Sequence, residues 1–411
     1  MRSPHAVVLL GLNYSPEPTG IAPYTSGLAT GLADSGFEVE ALVAHPHYPE
    51  WTIKEGYGQW LATEGSRGVR IRRYLHYVPR SPRGIRRLLS ELSFGLRLIC
   101  ARWGDPEVVI AVSPSLFATA MATLRLRLTR SRSKLIVWVQ DIYTLGLSET
   151  GEGSGLVGRL TRWVEAWTLR AADSVVVIHS RFADYVVDEF GVEPKHVTVI
   201  RNWSHLPTME TVDAADARKA LGWPADVTLA VHTGNMGVKQ GLENVVDAAR
   251  LADERHASVH FILVGDGGER KKLQNYAEGV SRLTFQAPLS NSAYHLALSA
   301  ADVFLVNEKP GVSAMAVPSK LTSYFHAGRP IVAATDPNGI AASEITESRS
   351  GVVVPAGDPS ALLNAVLEMD STAGRTVLYG RNGQEYRNKV LGEGVAINCW
   401  LRLLESLTPR R

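Results

Sequence analysis

The chain has 411 residues, of which 45% are hydrophobic, and a formal net charge of +2 at pH 7. This length predicts two or three domains, and the near-neutral charge excludes the overall basic character of a nucleic-acid-binding protein. The only cysteines, Cys100 and Cys399, give no metal spacing and no disulfide framework, which favours a reducing cytoplasm. No signal peptide or membrane span is predicted, because the apolar stretch 5–12 is short and runs into polar residues.

The N-terminal part predicts the start of a doubly wound sheet. Residues 6–12 and 39–44 are strand-like, and a helical apolar pattern lies between them from 21 to 32. The loop at 13–20 should therefore lie at the carboxyl end of a strand, where such sheets bind ligands. This loop lacks the G-x-G-x-x-G spacing of a dinucleotide site. Gly20 either lets a phosphate approach the backbone or is an ordinary turn glycine.

Two further polar segments in this half are predicted to lie beside a ligand site. His45 and His47 would indicate a metal only if further ligands joined them, and none is near in sequence, so a loop without metal is favoured. Gln140 and Asp141 directly follow the strand-like stretch 135–139. A carboxylate there could orient or deprotonate an acceptor hydroxyl, and a helix cap or loop hydrogen bond is the alternative.

The segment from 67 to 102 is strongly basic, with Glu91 as its only acid, and carries apolar residues at helical spacing from Ile85 to Trp103. A basic amphipathic segment can lie on an anionic membrane surface or receive a phosphate-bearing acceptor. The alternative is a helix packed on the sheet with a solvated arginine face. Its arginines are Arg67, Arg70, Arg72, Arg73, Arg80, Arg83, Arg86, Arg87, Arg97 and Arg102.

A domain boundary is predicted near 204–210, where the apolar pattern weakens, and a second β-loop-α series begins at Leu229. The loop at 234–241 is glycine-rich, contains Lys239 and follows a predicted strand. Free backbone N–H groups at a helix entrance, together with a lysine, form an anion cradle. The loop at 286–288 could offer backbone groups to a base.

A second cradle is predicted between 306 and 331. A buried strand is followed by a loop with Gly311 and Ser313, and Pro318 suits the first turn of a helix. Ser319 can help cap that turn, Lys320 supplies a positive charge, and Gly328 ends the helix. Two cradles in one domain favour a diphosphate ligand, whereas an ordinary strand–helix connection with a surface lysine is the alternative.

With these segments in view, the chain resembles the family 4 retaining glycosyltransferases of the two-Rossmann-domain GT-B fold. It is most similar to their subgroup in surface-polysaccharide and colanic-acid-type gene clusters. The similar stretches follow the family order over most of the chain. They are P-E-P-T-G-I-A-P-Y (16–24), P-H-Y-P (46–49), E-L-S-F-G-L (91–96), V-Q-D-I-Y (139–143), V-I-R-N-W (199–203), G-N-M-G-V-K-Q-G-L-E (234–243), F-I-L-V-G-D-G-G-E-R (261–270), A-A-D-V-F-L (300–305) and P-S-K-L (318–321).

The resemblance implies two Rossmann-like α/β domains facing a cleft. Residues 1–204 would take the acceptor and residues 205–391 the nucleotide sugar, while 392–411 would form a helix that crosses back to the first domain. It also implies catalysis without a bound metal, in which positive side chains and a helix N-terminus stabilise the leaving diphosphate.

The chain also departs from the family pattern. Asn235 and Gln240 stand where many relatives carry Arg and Lys. Met315 and Ser323 stand near the places of a glutamate pair, and Glu308 is a weak substitute upstream.

The residues predicted to carry function follow from these segments and the resemblance. Asp141, Lys239 and Lys320 are the catalytic candidates. The donor-binding candidates are Gly20, Gly234, Asn235, Gly237, Lys239, Gly265, Ala287, Ser313, Pro318, Ser319 and Lys320. The acceptor-binding candidates are Glu17, Thr19, His47, Tyr48, Arg86 and Arg87. No metal and no cofactor is predicted.

The predicted activity is sugar transfer from a nucleoside diphosphate sugar, UDP rather than GDP, with retention at the anomeric carbon. The predicted acceptor is a lipid-diphosphate-linked glycan at the cytoplasmic face of an anionic membrane. Three alternatives remain open: transfer to a soluble acceptor such as an antibiotic or thiol-sugar precursor, epimerisation of a sugar nucleotide on the same fold, and a non-catalytic partner subunit.

Overall fold

The computed structural model describes residues 5–18, 20–82, 84–113, 115–145, 155–203, 212–311, 320–371 and 373–408. They form two compact units. The first unit contains the described residues up to Trp203 together with those from Glu393 onward, and the second contains those in between.

The described part of the first unit is built on an eight-stranded sheet in the order β3-β4-β2-β1-β5-β6-β7-β8. All neighbouring pairs are parallel except β3 and β4. The strands are β1 (Ala6–Gly11), β2 (Glu38–Ala44), β3 (Leu61–Ser66), β4 (Val69–Tyr74), β5 (Val108–Ser113), β6 (Lys134–Val139), β7 (Ser174–Val177) and β8 (Val197–Val199). The helices between them are α1 (Ala22–Asp34), α2 (Gly84–Cys100), α3 (Leu116–Leu128), α4 (Gly155–Arg170) and α5 (Ser180–Asp188).

The central strands form because they are short apolar runs that are buried on both faces, as parallel strands require. Every residue of β5 is buried, whereas β3 is polar, mostly exposed and at the edge of the sheet. The last helix, α14 (Glu393–Leu407), completes this unit. Its Trp400 is fully buried and meets Trp138 with a ring-centroid distance of 5.1 Å. On α1, Gly31 allows α14 to approach, because a Cβ there would lie 2.6 Å from Ile397.

The described part of the second unit has a six-stranded parallel sheet in the order β11-β10-β9-β12-β13-β14. The strands are β9 (Thr228–Thr233), β10 (Val259–Val264), β11 (Leu283–Gln286), β12 (Val303–Asn307), β13 (Ile331–Thr335) and β14 (Gly351–Pro355). The helices are α6 (Ala214–Leu221), α7 (Glu243–Glu254), α8 (Arg270–Tyr276), α9 (Asn291–Ala300), α10 (Lys320–Ala327), α11 (Ile340–Ser348), α12 (Pro359–Ser371) and α13 (Ala373–Val390).

Two apolar clusters cover opposite faces of this second sheet. Phe261 and Leu263 belong to one cluster, while Ile262 and Val264 belong to the other. Successive residues of a strand point to opposite faces. Helices therefore lie on both sides of the sheet, and the predicted doubly wound α/β fold is confirmed.

In each sheet the strand order reverses at one point, between β1 and β5 in the first unit and between β9 and β12 in the second. Open α/β sheets bind their ligands beside such a reversal, at the carboxyl ends of the strands. A ligand is therefore expected at this edge of each sheet.

The basic segment from 67 to 102, predicted to contact an anionic membrane or a phosphate-bearing acceptor, is more than one helix in the structure. The segment is divided between β4 and α2, and two of its arginines are neutralised inside the unit. Arg72 pairs with Glu40 at 2.8 Å, and the buried Arg73 pairs with Glu64 at 2.6 Å. The prediction missed this because both carboxylates lie outside the segment.

Candidate active site

In the second unit, three loops meet at the carboxyl edge of the sheet. They follow β9, β10 and β12. The N–H of Gly234 donates to the carbonyl of Val264 at 2.9 Å, and the N–H of Met236 donates to that of Asp266 at 2.8 Å. Gly265 has φ +135°, and a Cβ there would lie 2.0 Å from the carbonyl oxygen of Gly234, so only glycine fits. The structure thus brings the predicted donor-binding residues Gly234 and Gly265 together.

Buried asparagines fasten the loop at 234–241 to β12. The side-chain amide of Asn307 donates to the carbonyls of Gln240 at 2.7 Å and Gly241 at 2.9 Å. Asn244 in turn donates to the side-chain oxygen of Asn307 at 2.8 Å. Neither asparagine was among the predicted site residues, although Asn307 stands at the end of an otherwise apolar strand and could have been noticed there.

Helix α10 brings Lys320 to the same edge. One turn beyond the lysine, Tyr324 stacks on Phe304 with a centroid distance of 4.1 Å, and its hydroxyl oxygen accepts the N–H of Thr233 at 2.8 Å. These contacts fix the helix over the ends of β9 and β12. The Lys320 Nζ lies 3.4 Å from His232 Nε2 and 3.9 Å from where a Cβ on Gly234 would be.

The Lys320 ammonium is held in a site that disfavours its charge. Burial lowers the pKa of Lys320 to about 8, and the nearby charge of Glu308 opposes that shift. Burial also lowers the pKa of His232, with the Lys320 charge acting in the same direction. For Glu308, burial raises the pKa against the hydrogen bond from Thr335 and the Lys320 charge. Nearby negative charge offsets little of the cost of burying the Lys320 ammonium, so an anionic ligand would stabilise it.

The remaining donor-side candidates are distributed around this edge. Lys239 is exposed, and its backbone carbonyl accepts the N–H of Lys309 at 2.8 Å. Its convergence with Lys320 on one diphosphate stays a prediction. Asn235 is exposed, and the N–H of Gly237 donates to the side chain of Gln240 at 3.0 Å.

Other predicted residues are exposed or lie outside the described ranges. Ala287 is exposed just after β11. Ser313, Pro318, Ser319 and Thr19 lie outside the described residues.

The first unit has a cavity of about 280 Å³ at the carboxyl edge of its own sheet. The walls come from segments following β1, β2, β5 and β6 and from α2. They include four of the predicted residues, namely Gly20, His47, Tyr48 and Arg87, together with the catalytic candidate Asp141, which is exposed. The structure thus brings together residues that are far apart in sequence.

Glu17 organises the loops beside this cavity. Its buried carboxylate accepts the N–H groups of His47 at 2.8 Å and Tyr48 at 2.9 Å, and the side-chain amide of Asn13 at 2.9 Å. Gly20 packs against the Tyr48 ring, since a Cβ there would lie 3.1 Å from it. Through these hydrogen bonds Glu17 holds the two loops together. Its direct contact with an acceptor stays a prediction.

Glu91 lines the cavity and was not among the predicted site residues. The buried carboxylate accepts the N–H of Phe117 at 3.1 Å and lies 3.4 Å from Arg87 Nε. Burial raises the pKa of Glu91 to about 7, because it outweighs the opposing effects of Arg87 and the hydrogen bonds. The available signal was an acid in the middle of a basic helix. Arg86 is exposed and does not line the cavity.

The buried histidines near the cavity were predicted not to form a metal site. Within the described ranges, no group of three His, Cys, Asp or Glu side chains is arranged to hold a metal ion. His47 is within 5.1 Å of His76 between ring centroids, and its Nδ1 contacts the carbonyl of His45 at 2.8 Å. Burial lowers the pKa of His76 to about 3, so this ring is neutral near neutral pH.

Two domain families match the chain. Residues 19–203 match the glycosyl transferase 4-like domain, and residues 228–371 match the glycosyl transferases group 1. The chain is 33% identical over 335 residues to the putative colanic acid biosynthesis glycosyl transferase WcaI of Escherichia coli K12, an alignment that covers 78% of this chain and 81% of that protein.

Solved structures share the fold. Sucrose-phosphate synthase from Thermosynechococcus elongatus superposes with a TM-score of 0.69 at 21% identity, covering 98% of this chain and 99% of that one. Anabaena HepE in complex with UDP gives a TM-score of 0.71 at 15% identity, covering 98% and 100%. At such identities the likeness shows the GT-B fold alone.

Proposed function

We propose a reaction for this chain from one premise: it belongs to the WcaI-like group of the family 4 glycosyltransferases. The proposed reaction transfers a sugar from a nucleoside diphosphate sugar, with UDP as the nucleotide and with retention at the anomeric carbon. The proposed acceptor is a lipid-diphosphate-linked glycan in surface-polysaccharide synthesis, on the cytoplasmic side of the membrane. The name of WcaI, which refers to colanic acid, supports the pathway.

The observation that carries the donor side is the position of Lys320. Its ammonium lies beside Gly234 at the point where the strand order of the second unit reverses. The loop there exposes its backbone to solvent at Gly234. A diphosphate at this edge would meet a cation and glycine-rich backbone together, the combination that phosphate sites use. The UDP complex of HepE, which shares the fold, supports UDP as the nucleotide.

In the proposed mechanism, the chain stabilises charge rather than forming a covalent intermediate. As the bond from the anomeric carbon to the diphosphate breaks, negative charge grows on the diphosphate oxygens, and Lys320 stabilises it from a site that is already desolvated. The acceptor hydroxyl oxygen bonds to the anomeric carbon on the face from which the diphosphate leaves, and its proton passes to the leaving phosphate. Asp141, at the cavity of the first unit, is proposed to orient that hydroxyl.

The test is Lys320→Met, which removes the charge and keeps an apolar chain. We expect UDP affinity and turnover of UDP-sugar to fall by at least about tenfold, because a buried charged hydrogen bond to phosphate contributes more than about 1.4 kcal/mol. The matched control is Lys219→Met, an exposed lysine on α6 in the same unit. If both variants bind and turn over like the wild type, Lys320 does not hold the diphosphate.

A further inference from the structure

The cavity of the first unit has the size and walls of a pocket for one small ring. Its volume of about 280 Å³ is at the lower end for small-molecule sites. Tyr48 and Trp51 line one part of it, while Ser90 and Glu91 of α2 line another. Aromatic faces beside hydrogen-bonding groups suit a ligand with both C–H surfaces and hydroxyls.

Two buried polar atoms of lining residues have no hydrogen-bond partner among the described residues. They are Ser90 Oγ and His47 Nε2, in residues that are 1% and 0% exposed. Buried polar atoms are nearly always paired, so each unpaired one requires an explanation. A ligand in the cavity that both donates and accepts hydrogen bonds would satisfy them.

Glu91 adds acceptor capacity in the same wall. Its carboxylate can accept about four hydrogen bonds, and the contact with Arg87 Nε is long, at 3.4 Å. The Arg87 guanidinium also lies over the Tyr143 ring, 4.9 Å from its centroid. The charged and titratable groups that face Glu91 are Arg87 and Tyr143, and His47 and Asp141 line the same cavity.

We propose that Glu91, Ser90 and His47 form a subsite that binds the hydroxyl groups of one hexose ring of the acceptor, with Glu91 as its specificity-determining residue. A ring hydroxyl donates to the Glu91 carboxylate, Ser90 Oγ and His47 Nε2 bind a neighbouring hydroxyl, and the aromatic walls cover the C–H face. Arg87 at the same wall faces an anionic group joined to that sugar. This inference rests on the proposed function, since it assigns the acceptor to this cavity.

The experiment uses the full chain and the methyl glycosides of glucose, galactose, mannose and fucose as probes, each followed by saturation-transfer NMR, with UDP as a separate probe. We expect at least one glycoside to give a signal that falls at least about fivefold in Glu91→Gln, because the amide replaces a charge-assisted acceptor. The UDP signal should stay unchanged. Ser90→Ala should weaken the same glycoside.

The dependence on pH separates a binding role from a structural one. The pKa of Glu91 is raised to about 7, so the carboxylate form grows as the pH rises from about 6 to about 8. The wild-type glycoside signal should rise over that interval, whereas that of Glu91→Gln should stay flat. The matched control is Glu344→Gln on α11 of the second unit, which removes an equally buried carboxylate that does not line the cavity. Its glycoside signal should follow the wild type.

The outcomes separate this inference from the proposed function. The subsite is wrong if no glycoside gives a signal, if Glu91→Gln keeps the wild-type signal, or if Glu344→Gln loses it equally. If the glycoside pattern holds while UDP gives no signal, the subsite stands and the nucleotide of the proposed function is wrong.

Discussion

Lys320 retains its charge in a site where burial disfavours it, so its ligand affinity should depend on pH. Its pKa is lowered to about 8. The ammonium is therefore present below that pH and lost as the pH rises through it. A bound diphosphate favours the charged form, so binding above about pH 8 must take up a proton.

The expected result is that UDP affinity falls by up to about tenfold between about pH 7 and pH 9, since a group with a pKa near 8 loses about nine-tenths of its charge by then. Calorimetric titration with UDP in two buffers of different ionisation enthalpy would measure both the affinity and the proton uptake. In Lys320→Met the affinity should be low and independent of pH. A wild-type affinity that is constant over this interval contradicts a role for the Lys320 charge.

At the residue scale, a functional side chain could be predicted from the sequence when the residues next to it in the chain indicate its role. Lys320 was found because a strand, a glycine-containing loop and a helix start surround it. Glu91 and His232 were missed because part of each environment comes from another element: the N–H of Phe117 for the first and Lys320 for the second. Only the fold makes these pairs neighbours.

At the scale of elements, the loop at 234–241 depends on β12 for its shape. Asn307 donates to two of its carbonyls, and the N–H of Lys309 donates to a third, that of Lys239. A glycine-rich loop has many accessible conformations, so these contacts select the one in which its backbone faces the ligand edge.

Asn307→Ala should therefore weaken UDP binding without contacting the nucleotide. The loop loses two hydrogen bonds and Asn244 loses its partner. The loop must then be ordered when UDP binds, which costs free energy, so we expect the dissociation constant of UDP to rise by about five- to tenfold. Asn364→Ala is the control, because that exposed asparagine on α12 accepts a hydrogen bond from Arg255. An unchanged affinity, measured by titration calorimetry on a folded Asn307→Ala variant, would show that the loop holds its shape without Asn307.

Elements were predicted best where burial is complete. The short apolar runs of β1, β5, β9 and β12 are typical of strands that are buried on both faces. The helical patterns that follow them in the sequence were recognised as well. By contrast, β3 was missed because an exposed edge strand needs no apolar face, and its residues Leu61–Ser66 carry little pattern. The ion pairs of the β4 residues Arg72 and Arg73 with Glu40 and Glu64 were therefore not anticipated.

At the scale of the whole molecule, chain order and spatial grouping differ. Helix α14 comes after the second unit in sequence but packs into the first, where Trp400 joins Trp138 and Trp203 in one buried cluster. Its apolar stripe indicated a buried face, and the resemblance suggested the partner. The apolar stripe alone does not predict which surface α14 packs against, because many apolar surfaces could bury it equally well.

The first unit also carries an exposed apolar helix surface, formed by α2, α3 and α4, which pack side by side. The exposed apolar side chains of this surface are Ile85, Leu89, Leu96, Leu124, Leu128, Leu156, Val157, Leu160 and Trp163. A search of the described helices for one that could span a bilayer found none. Arginines such as Arg86 accompany them. An apolar surface with cations suits the boundary of an anionic membrane, where a lipid-linked acceptor would be presented.

If this surface binds membranes, wild-type protein should float with vesicles that contain phosphatidylglycerol at low ionic strength, and less so with neutral vesicles or high salt, because the cationic part of the attraction is screened. Ile85→Asp should reduce flotation several-fold, since it places a negative charge on an apolar contact facing anionic lipid. Val377→Asp on α13 is the matched control, because Val377 is 72% exposed and Ile85 71%. Wild-type protein that stays unbound at low salt, or equal flotation of the two variants, would remove this surface as the membrane contact and favour a soluble acceptor instead.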